Sequence, residues 1–111
     1  MDAFDMAEIV EGHRKNGESY HEFLRAERLS VGLYVLAAGA TDPQAPHTED
    51  EIYYIVSGSG MIEVAGENRP VSAGSVIYVD AHVEHRFHTI TEDLSVIVVF
   101  APPRRSLAAQ S

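Results

Sequence analysis

Two stretches of this sequence concentrate side chains able to hold and use a metal ion. In "PHTEDEIYYIVSG", His47 stands among Glu49, Asp50 and Glu51 immediately ahead of an apolar run. In "DAHVEHRFHTI", His85 opens another such run. Imidazole and carboxylate together bind divalent ions, which can polarise a carbonyl, activate water or engage dioxygen. With six histidines and no cysteine, disulfides, thiolate metal sites and thiol nucleophiles are excluded. The remaining ligand types suit Fe(II), Mn, Ni, Zn or Cu. Taken alone, His47 reads as a surface histidine among acids, so the case for a site depends on what positions it.

The positioning elements read as strands. "HEFLRAE", "LSVGLYVLAA", "EIYYIVSG", "GMIEVAG", "RPVSAG", "SVIYVD", "EHRFHTI" and "LSVIVVFA" are mostly rich in Val, Ile, Tyr and Phe and bounded by turn formers. "SGSG" at 57–60 and "GEN" at 66–68 are expected to be hairpin connections, and "SAGS" and "TED" to separate later strands. Short strands at this spacing predict an all-β sandwich or barrel. The first 20 residues fit a helix or an edge strand equally well, residues 21–101 form the β domain, and 102–111, "PPRRSLAAQS", read as a flexible tail. "YVLAA", "IYYIV" and "VIVVF" are apolar on both faces, as for strands covered on both sides.

The bulk numbers narrow the partners. At 111 residues the chain is one domain with a modest core. A formal charge of −9 argues against nucleic acid or anionic membrane, both of which need clustered Lys and Arg. No apolar run approaches the ~20 residues of a membrane-spanning helix. No basic leader precedes an apolar stretch at the N-terminus, so a cytoplasmic location is expected.

From about Gly39 to Phe100 the chain resembles a small single-domain cupin. The first motif of that family reads G-x5-H-x-H-x3/4-E-x6-G; "HTEDEIYYIVSG" supplies His47, Glu51 and, after six residues, Gly58. The second reads G-x5-P-x-G-x2-H-x3-N; it runs here from Gly74 to His85. Ala45 stands where the first histidine belongs, Asp80 and His82 replace the Pro and Gly, and Thr89 replaces the Asn. A rival register makes His47 the first histidine and Glu49 its partner, but leaves Tyr53 in the glutamate position.

The resemblance implies a conical antiparallel β-barrel of the jelly-roll kind, a homodimer, and one divalent metal, Fe(II) first, with Mn, Ni or Zn as alternatives. The ligand set it leaves is His47, Glu51 and His85, a facial triad with open positions. Gln44 is the candidate fourth ligand or substrate contact. By period-two alternation Tyr53 and Ile55 share the face of Glu51, and Phe87 and Thr89 that of His85, so Tyr53, Ile55 and Phe87 are expected to line a small pocket. Val96, Val98 and Phe100 complete that wall if their face is the inner one. Glu49 and Asp50 are expected to be solvated or to orient His47. His82 is a loop residue, His88 faces outward, and His13 and His21 are structural or solvated. The acids from Asp42 to Glu51 should disfavour a strongly anionic substrate unless a metal neutralises them. Two functions follow: a metal-dependent enzyme on a small organic molecule, a dioxygenase first with isomerase or lyase chemistry open, or a non-catalytic small-ligand binding or sensing module with a degenerate site.

Overall fold

Residues 1–106 are described in a computed structural model. The chain opens with helix α1 (Met6–Asn16), which decides between helix and edge strand. It ends at Gly17, whose φ of 73° returns its amide to the carbonyl of His13. α1 packs on β1 (Tyr20–Arg25) and β2 (Ser30–Leu36) and buries Ile9. β3 (Asp50–Val64), β4 (Glu67–Ser72), β5 (Val76–Val79) and β6 (His85–Ala101) follow. All pairings are antiparallel, in the order β1-β2-β6-β3-β4, with β5 also on β3. Among the described residues no helix is long and apolar enough to cross a membrane.

β3 and β6 are the frame. They pair along almost their whole length, with register shifts between Ile55 and Met61. The 50–55 half of β3 is flanked by β5, and the 59–64 half by β4. The bulges bend both long strands, so their two halves serve two facing layers and close the barrel. The segment "SGSG" is therefore a bend inside one strand, where a hairpin was expected. "TED" at 91–93 likewise lies within β6. The reason is steric: a Cβ on Gly58 would lie 2.1 Å from the carbonyl oxygen of Asp93, so the absent side chain lets the strands stay in contact. True reversals occur at Ala65 and Gly66 (φ 50° and 83°) and at Gly74 (φ 94°).

The core lies between the layers and includes Tyr53, Ile55, Phe87, Leu94, Val96, Val98 and Phe100. Alternation holds strictly along the start of β3: Glu51, Tyr53 and Ile55 point in, while Ile52 and Tyr54 are 43% and 46% exposed. Outside, Ile52 pairs with Tyr78 and Tyr54 with Val76, an apolar patch on the outer face of β3 and β5. Thr89 departs from the expected face. Its φ of 48° breaks the alternation, so it is exposed and Ile90 turns inward instead.

The tail also differs from expectation. Over residues 102–106 it is strapped to the barrel: the Arg104 amide donates to Ser30 Oγ (2.9 Å), the Arg104 carbonyl accepts from Arg25 (3.1 Å), and the Arg105 amide donates to Glu49 (2.8 Å). Residues 107–111 lie outside the described residues.

Candidate metal centre

The loop between β2 and β3 is pinned across one end of the barrel by Asp42. This buried carboxylate accepts from Tyr34 Oη (2.6 Å), Gln44 Nε2 (2.8 Å) and the Phe87 amide (2.9 Å). The Asp42 bond fixes which way the Gln44 amide faces. Gln44 Oε1 is left to accept from Tyr53 Oη at 3.1 Å and to face His85 Nε2 at 3.1 Å.

His85 is the first residue of β6 and points inward. Its Nδ1 lies 2.8 Å from the Val83 carbonyl. A carbonyl can only accept, so Nδ1 carries the proton and a neutral His85 presents a bare Nε2 to the site. Bare Nε2 and Gln44 Oε1 are then two acceptors in contact, and a cation or a second proton must lie between them. The same Nε2 is 3.4 Å from Glu51 Oε1. Glu51, the first inward residue of β3, is held between Val79 of β5 and Phe100 of β6. His47 Nδ1 touches Glu51 Oε1, and the His47 ring is 5.1 Å from Phe100 and 5.3 Å from the His85 ring.

His47, Glu51 and His85 thus converge: each offers a ligand atom within 4.8 Å of the others. His47 Nδ1 and both Glu51 oxygens are cut off from solvent without an aligned hydrogen bond. Such buried groups are costly unless something else satisfies them. A divalent cation fits that need, and the donor set suits it.

Other expected positions resolve differently. Glu49 is neither solvated nor a partner of His47; it is 2% exposed and accepts from Thr48 and the Arg105 amide. That use, with Tyr53 as the phenol beside Glu51, disposes of the rival register. Asp50 accepts from the Ala81 amide. Ile55 and Phe87 sit behind the pocket as closed core, whereas Tyr53 borders it. The pocket is a cavity of about 370 Å³ bordered by Tyr20, Tyr34, Gln44, His47, Glu51 and Phe100, among others, with Arg104 and Arg105 at its rim. Asp42, Tyr34 and Tyr20 were not foreseen as its builders, and no spacing in the sequence points to them. His82 is exposed on its loop, but its amide donates to the His47 carbonyl (2.7 Å) and so ties the two motif halves together.

The profile of the cupin domain family matches residues 32–100. The chain is a member of the cupin family. A protein of Streptomyces coelicolor, described as uncharacterized, is 50% identical over 93% of this chain and 98% of its own length. L-ectoine synthase of Vibrio cholerae is 27% identical over 80% of this chain and 67% of its own. Among solved structures, KdgF from Halomonas sp. is 26% identical, covers 79% of this chain and 81% of its own, and superposes with a TM-score of 0.71. The expected fold class, a cupin-type antiparallel β-barrel, is the observed one.

The electrostatics of this cupin make a pH prediction. Burial would raise the Glu51 carboxyl, but His47, His85 and Tyr53 override it and hold it at about 2. Burial would lower His85, but Glu51 and the Val83 carbonyl override that and raise it. The depressed carboxyl contributes stability above its ordinary value of 4.5, which is lost as pH falls towards 2. The raised imidazole contributes below its ordinary value of 6.5, and this is lost as pH rises through the shifted value. Chelator-treated protein should therefore melt highest between those two ordinary values, and Glu51→Gln should flatten both flanks. Divalent metal, which competes with the proton on His85, should move the optimum upward. Thermal melts from about pH 3 to about pH 9 with and without chelator check this.

Proposed function

We propose that this cupin is a metal-dependent enzyme acting on a small organic molecule, with one divalent ion held by His47, Glu51 and His85 and by the amide oxygen of Gln44 in the place vacated at Ala45. The observation that carries the reading is the opposed pair of acceptors, Gln44 Oε1 and His85 Nε2, 3.1 Å apart beside a buried carboxylate. When bound, Fe(II) would supply dioxygen activation, and Zn, Mn or Ni Lewis-acid polarisation. The protein's own groups do the rest. Glu51 stays ionised and offsets the cation's charge. Tyr53 keeps its phenolic proton, since burial and Glu51 raise its pKa well above the ordinary value, and it donates a hydrogen bond at the inner end of the cavity. Val98 and Phe100 supply apolar wall beside these polar groups.

Fe(II) dioxygenase chemistry is the first to test, by elemental analysis followed by oxygen uptake with small organic substrates. A second reading keeps the site and uses the ion as a Lewis acid without consuming oxygen; it is favoured by the likeness to a protein named as a synthase. Protein that takes up no metal even under reducing conditions would leave the non-catalytic binding module in its place.

We further propose that two copies pair through the outer patch of Ile52, Tyr54, Val76 and Tyr78, since an exposed apolar strip on a sheet face is a common dimer seam. Sedimentation should give the mass of two chains, and Tyr54→Lys with Tyr78→Lys should halve it. A monomeric parent would refute the pairing.

A further inference from the structure

The acids that crowd the entrance in the sequence are, in the fold, each bonded to donors of the protein. Asp42 spends its oxygens on Tyr34, Gln44 and the Phe87 amide, Glu49 on Thr48 and the Arg105 amide, and Asp50 accepts from the Ala81 amide. Glu51 alone among the acids borders the cavity, and it belongs to the metal cluster. The other charged side chains on the cavity wall, besides that cluster, are Arg104 and Arg105.

Arg104 is placed with care. Its backbone is fixed on both sides, through its amide to Ser30 and its carbonyl to Arg25. Its guanidinium lies 4.6 Å from the centre of the Tyr20 ring and 5.9 Å from that of Phe100. Tyr20 in turn needs Gly32 beneath it, because a Cβ there would fall 2.3 Å from the phenol oxygen. Among the described residues Arg104, like Arg28, Arg69 and Arg105, has no carboxylate within 4.0 Å, and of these four only Arg104 lies over aromatic rings on the cavity wall. A partly buried arginine whose guanidinium lies over two aromatic faces and, among the described residues, meets no carboxylate is a ready receptor for a planar anion. The Phe100 ring that borders it also carries the His47 ring on its way to the cluster.

We infer that the cavity takes a small organic acid, its carboxylate held by Arg104 and its oxygen-bearing other end turned to His47, Glu51 and His85. This rests on the metal-site reading above and adds the substrate class to it. A divalent ion would offset Glu51 and the Asp42 carboxylate behind Gln44, so that Arg104 supplies the net attraction for an anion. Carboxylate fits better than phosphate, which is usually cradled by free backbone amides. The strap offers none at this point, because the Arg104 and Arg105 amides are already used. The cavity of about 370 Å³ suits a molecule of small-metabolite size.

The test uses metal-reconstituted protein, with 4-oxopentanoate as the acid, 5-hydroxypentan-2-one as its uncharged counterpart and inorganic phosphate as the competing anion. Binding is followed by calorimetry and by the fluorescence of the tyrosines bordering the cavity. The acid should bind at least about 10-fold more tightly than the ketone, and Arg104→Gln should remove about 10- to 100-fold of the acid affinity. The variant should leave ketone affinity and metal content unchanged and lower the melting temperature only slightly, through the lost contact with Tyr20 and Phe100, and Arg104→Lys should fall between. Acid affinity unmoved in Arg104→Gln, ketone bound as tightly as acid, phosphate bound more tightly than acid, or no binding of the acid would each overturn the inference. If the parent takes no metal, the metal-site reading fails separately. The same comparison on metal-free protein then decides: a preference for acid over ketone that vanishes in Arg104→Gln upholds the arginine's role, and no such preference ends it.

Discussion

His85→Ala should abolish stoichiometric metal binding and, with it, every activity that depends on the ion. Loss of an outer hydrogen-bond partner already costs metal sites about 10- to 100-fold in affinity. Removing a direct ligand from a set of two imidazoles and one carboxylate should cost more, because one imidazole, the Glu51 carboxylate and the weak Gln44 amide are left to hold the ion. The variant also frees the Val83 carbonyl from the His85 ring and leaves a small void, which together cost about 1–3 kcal/mol. The decisive readout is therefore the difference between metal-loaded and chelated protein. In the parent, metal at ~1,000 times its Kd should add about 4 kcal/mol of stability and raise Tm accordingly. In His85→Ala, chelator should leave Tm where it was. Metal content in the variant equal to that of the parent would sink the assignment.

Gly58→Ala should destabilise the barrel severely, whereas Gly74→Ala should be tolerated. Both glycines have a φ of 94°, so the conformational strain of adding a side chain is shared. Their surroundings are not. A Cβ on Gly58 would stand 2.1 Å from the Asp93 oxygen and 2.8 Å from Leu94 Cα, both backbone atoms of β6; a Cβ on Gly74 meets nothing within 4 Å. Backbone cannot rotate away as a side chain can, so β3 and β6 must separate where their bulges bend the barrel. That separation would also shift Glu51, seven residues upstream on β3. Gly74→Ala should cost about 1–3 kcal/mol from its φ alone, and Gly58→Ala at least 2–3 kcal/mol more, enough to unfold a domain of marginal stability. Urea denaturation of the two variants measures the difference directly. Equal losses would mean that β6 moves aside without cost.

The glycine that closes the first cupin motif therefore serves close approach between two backbones, and that role is invisible in sequence. "SGSG" has the composition of a hairpin, and only the long-range pairing of β3 with β6 shows that the chain carries on through it. The same distinction runs through the site. His47, Glu51 and His85 were legible because their spacing, apolar flanks and match to two family motifs are local properties of the chain. Their alternation with Ile52, Tyr54 and Arg86 follows from the two-residue period of a strand. The break at Thr89 was not legible, since a positive φ at a threonine is imposed by the bulge and not by its own preference.

By itself, then, the sequence determined the strand-rich fold class, the cupin family and the three residues that could hold an ion. Tertiary structure alone decided what the remaining charges do. Asp42, Glu49 and Asp50 crowd the same stretch of chain, but each is held by a donor from a distant segment: Phe87, the 104–105 strap and Ala81. Arg104, at the edge of an apparent tail, lies on the cavity wall against Tyr20, 84 residues before it. The physical reason is that a charge acts through distance and desolvation, and both are properties of the folded neighbourhood. Periodicity and motif spacing are read along the chain. The sign of a pocket is set across it.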